Sequence, residues 1–153
     1  MASNRKPSPP PAGSAGYSGT PLARKLTLGP GLRVWAPGIP AAVKAEIDAA
    51  GLDIKWTARA SAGLPAAHLF VIARSEFERR LAALRTTLAP DGQVWVSWPK
   101  KASGVPTDIT EQTIRDVALP TGLVDNKVCA IDETWSGLRL VIRRENRTRD
   151  LRT

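Results

Sequence analysis

The sequence predicts an α/β fold: a single open, mostly parallel sheet with flanking helices and a C-terminal β-hairpin. Three observations predict it. Short apolar runs of strand length alternate with stretches whose apolar residues have helical spacing. Alternation of this kind is typical of a parallel sheet with right-handed crossovers. The last two apolar runs follow each other with no helix between them, so the sheet must also contain one antiparallel strand.

The chain has 153 residues, which suits one domain flanked by ends of different composition. Residues 1–16 are rich in proline, serine and glycine and have no apolar periodicity, which predicts a disordered leader. The α/β domain is expected over residues 17–145. Residues 146–153 are predicted to form a basic, flexible C-terminal tail.

The first half of the domain is predicted to contain two helices and two strands. Thr20 can cap a short helix whose first residue is Pro21, where a missing N–H costs no hydrogen bond. Residues 32–36 predict the first strand. Pro40 opens the second helix, a glycine ends it, and residues 52–57 predict the second strand.

The middle of the chain has the strongest signals. Residues 68–73 form an apolar run that predicts a buried strand. Ser75 is then predicted to cap a helix, with Glu78 completing a capping box. A Pro-Asp-Gly turn leads into the next predicted strand, residues 93–98, whose two tryptophans have opposite parity and should face opposite sides of the sheet.

The last part of the domain is predicted to be a helix and a hairpin. Asp108 with Glu111 makes a second capping-box signature, and apolar residues at helical spacing follow it. Residues 124–131 and 138–143 predict two strands, joined by the polar turn 132–137.

The net charge of +8 is confined to the two ends of the chain. Residues 34–142 carry twelve basic and twelve acidic side chains, so the predicted sheet is neutral overall. Basic ends on a neutral domain improve solubility or bind polyanions weakly and in a salt-dependent way. The sequence has no zinc-finger, helix-turn-helix or RNA-binding sheet motif that would indicate a dedicated nucleic-acid site.

The sequence predicts a cytoplasmic protein with no membrane segment. Residues 1–16 have no apolar segment typical of a secretory signal. The uncharged run 60–73 contains a proline and, at 14 residues, is too short to span a bilayer. Cys129 is the only cysteine, which excludes an intramolecular disulfide and suits a reducing compartment.

Two polar segments follow two predicted strands that run in the same direction. Ligands of open α/β sheets bind at the carboxyl ends of the strands. We therefore expect residues 98–108 and 132–136 to meet at one edge, and we name this surface the rim. Its candidate ligand- or partner-binding residues are Trp98, Lys100, Lys101, Ser103, Asp132, Glu133, Thr134, Trp135 and Ser136.

Three interpretations of the rim stay open at this point. Its lysines and carboxylates can form an electrostatic clasp that ties the loop to the hairpin. They can instead bind an anion or a partner protein, or they can take part in catalysis. Separating these interpretations requires the distances between the side chains and the perturbation of their pKa values.

Three segments of the sequence are distinctive: YSGTPLARKL, VWVSWPKKASGVPTDIT and ALPTGLVDNKVCAIDETWSGLRLVIR. Together they resemble a bacterial family described as a domain of unknown function (DUF3052), over residues 17–145. The resemblance implies a compact cytoplasmic α/β domain and carries no activity, cofactor or catalytic residue with it. The predicted order of elements, with its final hairpin, also resembles a truncated Rossmann-like sheet of the class I methyltransferases; this is an analogy of fold.

A methyltransferase of this type needs two features to bind adenosylmethionine. A glycine-rich turn must follow the first strand, and an acidic residue must end the second strand. Here the turn, residues 36–40, has one glycine and two prolines, and the second strand ends Lys55-Trp56-Thr57. Both contacts are missing, so we expect no cofactor.

The remaining candidates have simpler structural interpretations. His68, the only histidine, is expected to have a capping or surface role, and Cys129 to be a small core residue. With one histidine and one cysteine the chain cannot form an ordinary structural zinc site, so no metal is expected. Ser18, Gly19 and Thr20 offer hydroxyl and N–H groups to an anion, although a plain helix cap at Thr20 is the favoured explanation.

The sequence therefore favours a non-enzymatic module that binds a partner protein or a small anionic ligand through the rim. No catalytic residue is assigned. The alternative is a degenerate, methyltransferase-like transferase. A second alternative is weak polyanion or nucleic-acid binding through the basic tails.

Overall fold

The computed structural model describes residues 21–146. The leader predicted for residues 1–16, the tail predicted for residues 146–153 apart from its first residue, and the candidate anion contact at residues 18–20 lie outside the described residues. The helices are α1 Leu22–Lys25, α2 Ala41–Asp48, α3 Arg74–Thr87 and α4 Glu111–Ala118. The strands are β1 Arg33–Trp35, β2 Lys55–Thr57, β3 Leu64–Phe70, β4 Leu88–Pro99, β5 Leu123–Ala130 and β6 Trp135–Ile142.

The strands form one mixed sheet with the order β2-β1-β3-β4-β6-β5. Strands β1 to β4 are mutually parallel, and β6 is antiparallel both to β4 and to β5. Because β6 opposes both neighbours, β5 runs in the same direction as β4. The predicted α/β fold, with a mostly parallel sheet and a C-terminal hairpin, is confirmed.

Helices cover both faces of the sheet and pack two separate cores. On one face, α3 and α4 bury Phe77, Leu81 and Ile114 against Val94, Val96 and Trp98 of β4. On the other face, α1 and α2 bury Leu26, Val43 and Ile47 against Val34, Ala66 and Trp95. The tryptophans of β4 therefore lie on opposite faces, as their parity predicted.

Polar side chains of β4 hold α1 against the sheet. Trp95, which is 1% exposed, donates its indole N–H to the Leu26 carbonyl at 2.9 Å. Gln93 donates to the Thr27 carbonyl and accepts from the Thr27 hydroxyl. Thr27 has a φ of 56°, which is uncommon for a β-branched residue. This turn after α1 aims the Leu26 and Thr27 carbonyls at the sheet, where they satisfy buried donors.

The residues predicted to cap α3 and α4 are wrong. Helix α3 begins at Arg74, and neither Ser75 nor Glu78 caps it. Instead the Asp108 carboxylate accepts from the Arg74 backbone N–H at 2.7 Å, and Glu78 pairs with the Arg74 guanidinium. Because Asp108 is used by α3, Thr110 caps α4.

The capping box of α4 is formed by two threonines. The Thr110 hydroxyl accepts from the Thr113 N–H, and the Thr113 hydroxyl accepts from the Thr110 N–H. Glu111, which was expected to complete the box, lies two positions before Thr113 and pairs with Arg115. A carboxylate brought from a distant loop, as Asp108 is at α3, leaves no local signal in the sequence.

Two strands are longer than predicted. Strand β3 begins at Leu64, four residues before the predicted start at His68. Strand β4 begins at Leu88, and the predicted turn lies within it as an irregularity. Leu64 pairs with Leu88 and Ala66 pairs with Gln93, so β4 accommodates extra residues opposite a short stretch of β3. The hairpin strands start and end slightly earlier than predicted, and the turn between them is 131–134.

No helix within residues 21–146 has the length and apolar character needed to cross a membrane.

The bond between β4 and α1 predicts a specific stability effect. We expect Trp95→Phe to lower the free energy of unfolding by roughly 1–3 kcal/mol, because it removes a buried hydrogen bond to the Leu26 carbonyl, which the Thr27 hydroxyl also contacts, and opens a small cavity. Urea unfolding measures the loss. The matched control is Trp56→Phe, which removes a solvent-exposed indole hydrogen bond to Asp48 from a half-buried side chain and should cost less than about 1 kcal/mol. Equal losses in the two variants would contradict this account of α1 docking.

Candidate functional site

The two segments of the rim meet at the carboxyl-terminal edge of the sheet. Trp98 pairs with Ser136 and Pro99 with Trp135 at the end of the β4–β6 ladder. One residue further on, the Lys100 backbone N–H donates to the Thr134 carbonyl at 2.7 Å. The loop after β4 and the turn of the hairpin are therefore adjacent, and a backbone hydrogen bond connects them.

Several rim side chains have structural roles within their own segment. Asp132 accepts from the backbone N–H groups of Thr134 and Trp135, each at 2.8 Å, and so closes the hairpin turn. The Ser103 hydroxyl donates to the Lys100 carbonyl and accepts from the Val105 N–H. These two side chains shape the rim through hydrogen bonds to the backbone, and both bonds to Asp132 fall on its Oδ1 atom.

The two tryptophans of the rim belong mainly to the cores. Trp98 is 7% exposed and packs on the face covered by α3 and α4. Trp135 is half-buried and packs edge-on against Phe70, with 5.2 Å between the ring centroids. Neither indole projects freely from the rim, although Trp98 forms part of the groove described next.

The lysines and carboxylates of the rim form no electrostatic clasp. Within residues 21–146, no ion pair joins Lys100 or Lys101 to Asp132 or Glu133. The side chains of Lys100, Lys101 and Glu133 have no hydrogen-bond partner in the same part of the chain. What ties the loop to the hairpin is the backbone bond from Lys100 to Thr134, which does not depend on charge.

A groove of about 620 Å³ runs beneath the loop after β4. It lies between the carboxyl end of β4 and the start of α4. Trp98 and Ile109 are its buried apolar residues, and Val105 lies beside it with 39% of its surface exposed. The full lining is Trp98, Pro99, Lys101, Gly104, Val105, Pro106, Thr107, Ile109, Thr110 and Glu111.

Most polar side chains of the groove already have partners. The Thr107 hydroxyl donates to the Ile72 carbonyl, and Thr110 caps α4. Glu111 is paired with Arg115. The Lys101 ammonium is the exception: it has no partner among residues 21–146. The groove thus combines an apolar surface with one uncompensated positive charge.

Sequence reasoning placed Trp98, Lys101 and Ser103 at the rim but missed the groove itself. Residues 104–107 lie within the predicted rim, but none of them was among its candidate binding residues. Only the contacts of Thr107 with Ile72, and of Asp108 with Arg74, fold this stretch over the end of β3 and form the groove wall. The exposed Val-Pro pair at 105–106 was the available signal, since an apolar residue in a polar loop often marks a contact surface.

The other end of the sheet edge lacks the features of an adenosylmethionine site. The crossovers change face between β1 and β3, which is where doubly wound sheets bind cofactors. The turn after β1 has Gly38, with a φ of 77°, as its one glycine. Strand β2 ends at Thr57, whose hydroxyl donates to the Arg59 carbonyl, and no carboxylate follows it in the loop to β3.

His68 has a different role from the one predicted. It is 3% exposed, within β3, and its Nε2 lies 2.7 Å from the Ser97 hydroxyl, which is fully buried. The ring stacks on Phe70 at 4.2 Å. The expectation of a capping or surface histidine is therefore wrong, because β3 begins four residues earlier than its apolar run indicated.

Burial lowers the pKa of His68 to about 3, so its imidazole is neutral at physiological pH. A serine–histidine pair is the arrangement of nucleophilic catalysis, but a substrate must reach the serine. Ser97 has no exposed surface, and no carboxylate hydrogen-bonds to His68 within the described part of the chain. The pair is a buried hydrogen bond that stabilises the β3–β4 interface.

Cys129 is half-buried against the α1 face, and burial raises the pKa of its thiol. A raised pKa makes a cysteine less reactive, which suits the predicted role as a small core residue. Among residues 21–146, no group of three or more histidine, cysteine, aspartate or glutamate side chains is arranged to hold a metal ion.

Comparison with solved structures defines the fold class. The chain is similar to an adenosylmethionine-dependent methyltransferase from Aquifex aeolicus, with a TM-score of 0.55, 12% identity, and coverage of 78% of this chain and 89% of that one. It is also similar to magnesium protoporphyrin IX methyltransferase from Synechocystis PCC 6803, with a TM-score of 0.52 and 12% identity, over 79% of this chain and 74% of that one. A possible exported protein from Bordetella parapertussis is similar with a TM-score of 0.55 and 10% identity, over 80% of this chain and 66% of that one. At these identities the likeness shows the fold alone: a methyltransferase-like α/β sheet.

The sequence match is narrower and more specific. Residues 75–144 match a family described as a protein of unknown function (DUF3052). The predicted resemblance to this family is confirmed over that stretch, which runs from α3 to the end of β6 and includes the whole rim. No curated protein matches the sequence.

The depressed pKa of His68 predicts a decline of stability in mild acid. The ordinary pKa of 6.5 applies to the unfolded chain, and the folded value is about 3. Between these values the unfolded state binds a proton that the folded state does not, so the free energy of unfolding falls as the pH falls, by up to about 1.4 kcal/mol per pH unit. Urea unfolding from about pH 7 to about pH 5 should show this slope. His68→Gln cannot take up the proton and should have a flatter profile; parallel profiles would contradict the buried neutral imidazole.

The absence of a clasp predicts independent charges at the rim. In a double-mutant cycle with Lys101→Glu and Glu133→Lys, we expect a coupling energy within about 0.5 kcal/mol of zero, because no ion pair joins these side chains. Denaturant unfolding of the two single variants and the double variant measures it. A coupling energy above about 1 kcal/mol would restore the clasp hypothesis.

Proposed function

We propose that this domain is a non-enzymatic binding module, and that its rim holds an anionic ligand or the anionic group of a partner protein. One observation carries the proposal: in the groove at the end of β4, the Lys101 ammonium is uncompensated while the neighbouring polar side chains are already bonded. An anion is the group that such a site lacks.

The rim is held in shape before anything binds. The Lys100 backbone N–H donates to the Thr134 carbonyl, and the Ser103 hydroxyl donates to the Lys100 carbonyl. The Asp132 carboxylate accepts from the Thr134 N–H and so closes the hairpin turn. Binding then orders mainly the lysine side chains, which lowers its entropic cost. Because the ammonium groups are exposed, the attraction is screened by salt and should decline as ionic strength rises.

The structural features do not favour the enzyme alternative. The methyltransferase-like fold comes without a glycine-rich turn after β1 and without an acidic residue after β2. The buried serine–histidine pair is closed to substrates. The polyanion alternative rests on basic residues near the two ends of the sequence, half of them outside residues 21–146, and no described contact favours it.

The proposal predicts lysine-dependent anion binding. We expect citrate and inorganic phosphate to shift the amide NMR signals of residues 98–108, and Lys100→Ala with Lys101→Ala to weaken this binding by roughly tenfold. The matched control is Arg79→Ala with Arg144→Ala, which removes two exposed positive charges elsewhere and should leave binding within about twofold.

Two results would contradict the proposal. One is anion binding that is equally weakened in the lysine and arginine variants, since it would then reflect net charge alone. The other is a clear rise in melting temperature with adenosylmethionine, accompanied by methyl transfer that the lysine variant loses. That outcome would favour the transferase.

A further inference from the structure

We infer that the natural occupant of the groove is an extended segment of a partner protein, in which an aliphatic or aromatic side chain lies beside an aspartate or glutamate. This inference rests on the proposed function, because it names the partner of the same rim. Three properties of the groove support it: its charge, its apolar surface and its open shape.

The charge of the groove varies along its length. Lys101 supplies an uncompensated positive charge at the end nearest β4. At the α4 end, the carboxylate of Glu111 is paired with Arg115, which also binds Asp125. A carboxylate therefore finds a favourable position only near Lys101, and this fixes where the acidic residue of the segment would lie.

The surface beside Lys101 is apolar. Trp98 and Ile109 form buried walls, and Pro99 and Pro106 add apolar surface without backbone donors. Val105 is one of four large apolar residues in the described part of the chain that stay substantially exposed. Covering Val105 and the groove with an apolar side chain removes this surface from water and provides the main gain in binding energy.

The shape of the groove favours a chain segment over a small molecule. Small-molecule sites enclose most of the ligand surface, whereas this groove is partly open to solvent. It can therefore cover only part of its occupant, and a partner protein would cover the remainder itself. The wall at 104–108 is fixed by the Thr107 bond to Ile72 and the Asp108 bond to Arg74, so the groove is preorganised.

Peptide display provides the direct test. We expect selection of a random peptide library on the full chain to enrich peptides that place a large apolar residue next to an acidic one. A synthetic peptide from the selection, labelled with a fluorophore, should bind about tenfold more weakly to Lys101→Glu and to Val105→Asp, and within about twofold of wild type to Arg79→Glu. Unchanged melting temperatures show that the variants remain folded.

Charge exchange then tests the predicted contact. Replacing the acidic residue of the peptide with lysine should abolish binding to the wild-type chain and restore it to Lys101→Glu. A peptide that binds Lys101→Glu as tightly as the wild-type chain would overturn the inference. If citrate binding depends on the lysines but the binding of every enriched peptide is independent of them, the proposed function stands and the protein-segment inference fails. If neither citrate binding nor peptide binding depends on the lysines, the proposed function and the inference both fail.

Discussion

From Gly92 to Pro99, strand β4 is enclosed on every side, and the rest of the structure depends on this constraint. Strands pair with both of its edges, and packed helices cover both of its faces. The polar side chains of this stretch therefore have almost no access to water and must find partners inside the protein. Trp95 and Gln93 find them in the backbone that ends α1, and Ser97 finds one in His68. One buried strand thus determines where the first helix docks and why a histidine lies in the core.

The sequence predicted the architecture better than the contacts. Strands and helices alternate clearly, and the parity of Trp95 and Trp98 correctly placed them on opposite faces. The failures involve residues whose partners are distant in the chain. Asp108 was assigned to α4 because Glu111 follows it, yet it binds the start of α3, and only the folded chain brings these two positions together. His68 was misplaced because β3 continues through a proline-containing stretch that has no strong strand signal.

The same limit applies to the rim. That residues 98–103 and 132–136 approach each other follows from the direction of two strands, which sequence patterns can indicate. Whether a lysine then pairs with a carboxylate depends on side-chain conformation and on the path of the loop. Sequence patterns do not indicate either of these. The groove between the rim loop and α4 depends on two hydrogen bonds, from Thr107 and to Asp108. A fold shared with methyltransferases therefore does not specify a shared site: the binding surface proposed above lies at β4, not at the glycine turn after β1.

The bond between the Lys100 N–H and the Thr134 carbonyl uses backbone atoms only, as does the β4–β6 ladder that leads up to it. The link therefore does not depend on the side chains at positions 100 and 134, although proline at either position would remove an N–H that is hydrogen-bonded here. The scaffold and the proposed recognition surface are chemically separate at this point. Evolution can thus exchange the side chains displayed on this edge, and with them the specificity of the domain, while the spacing between loop and hairpin is inherited unchanged.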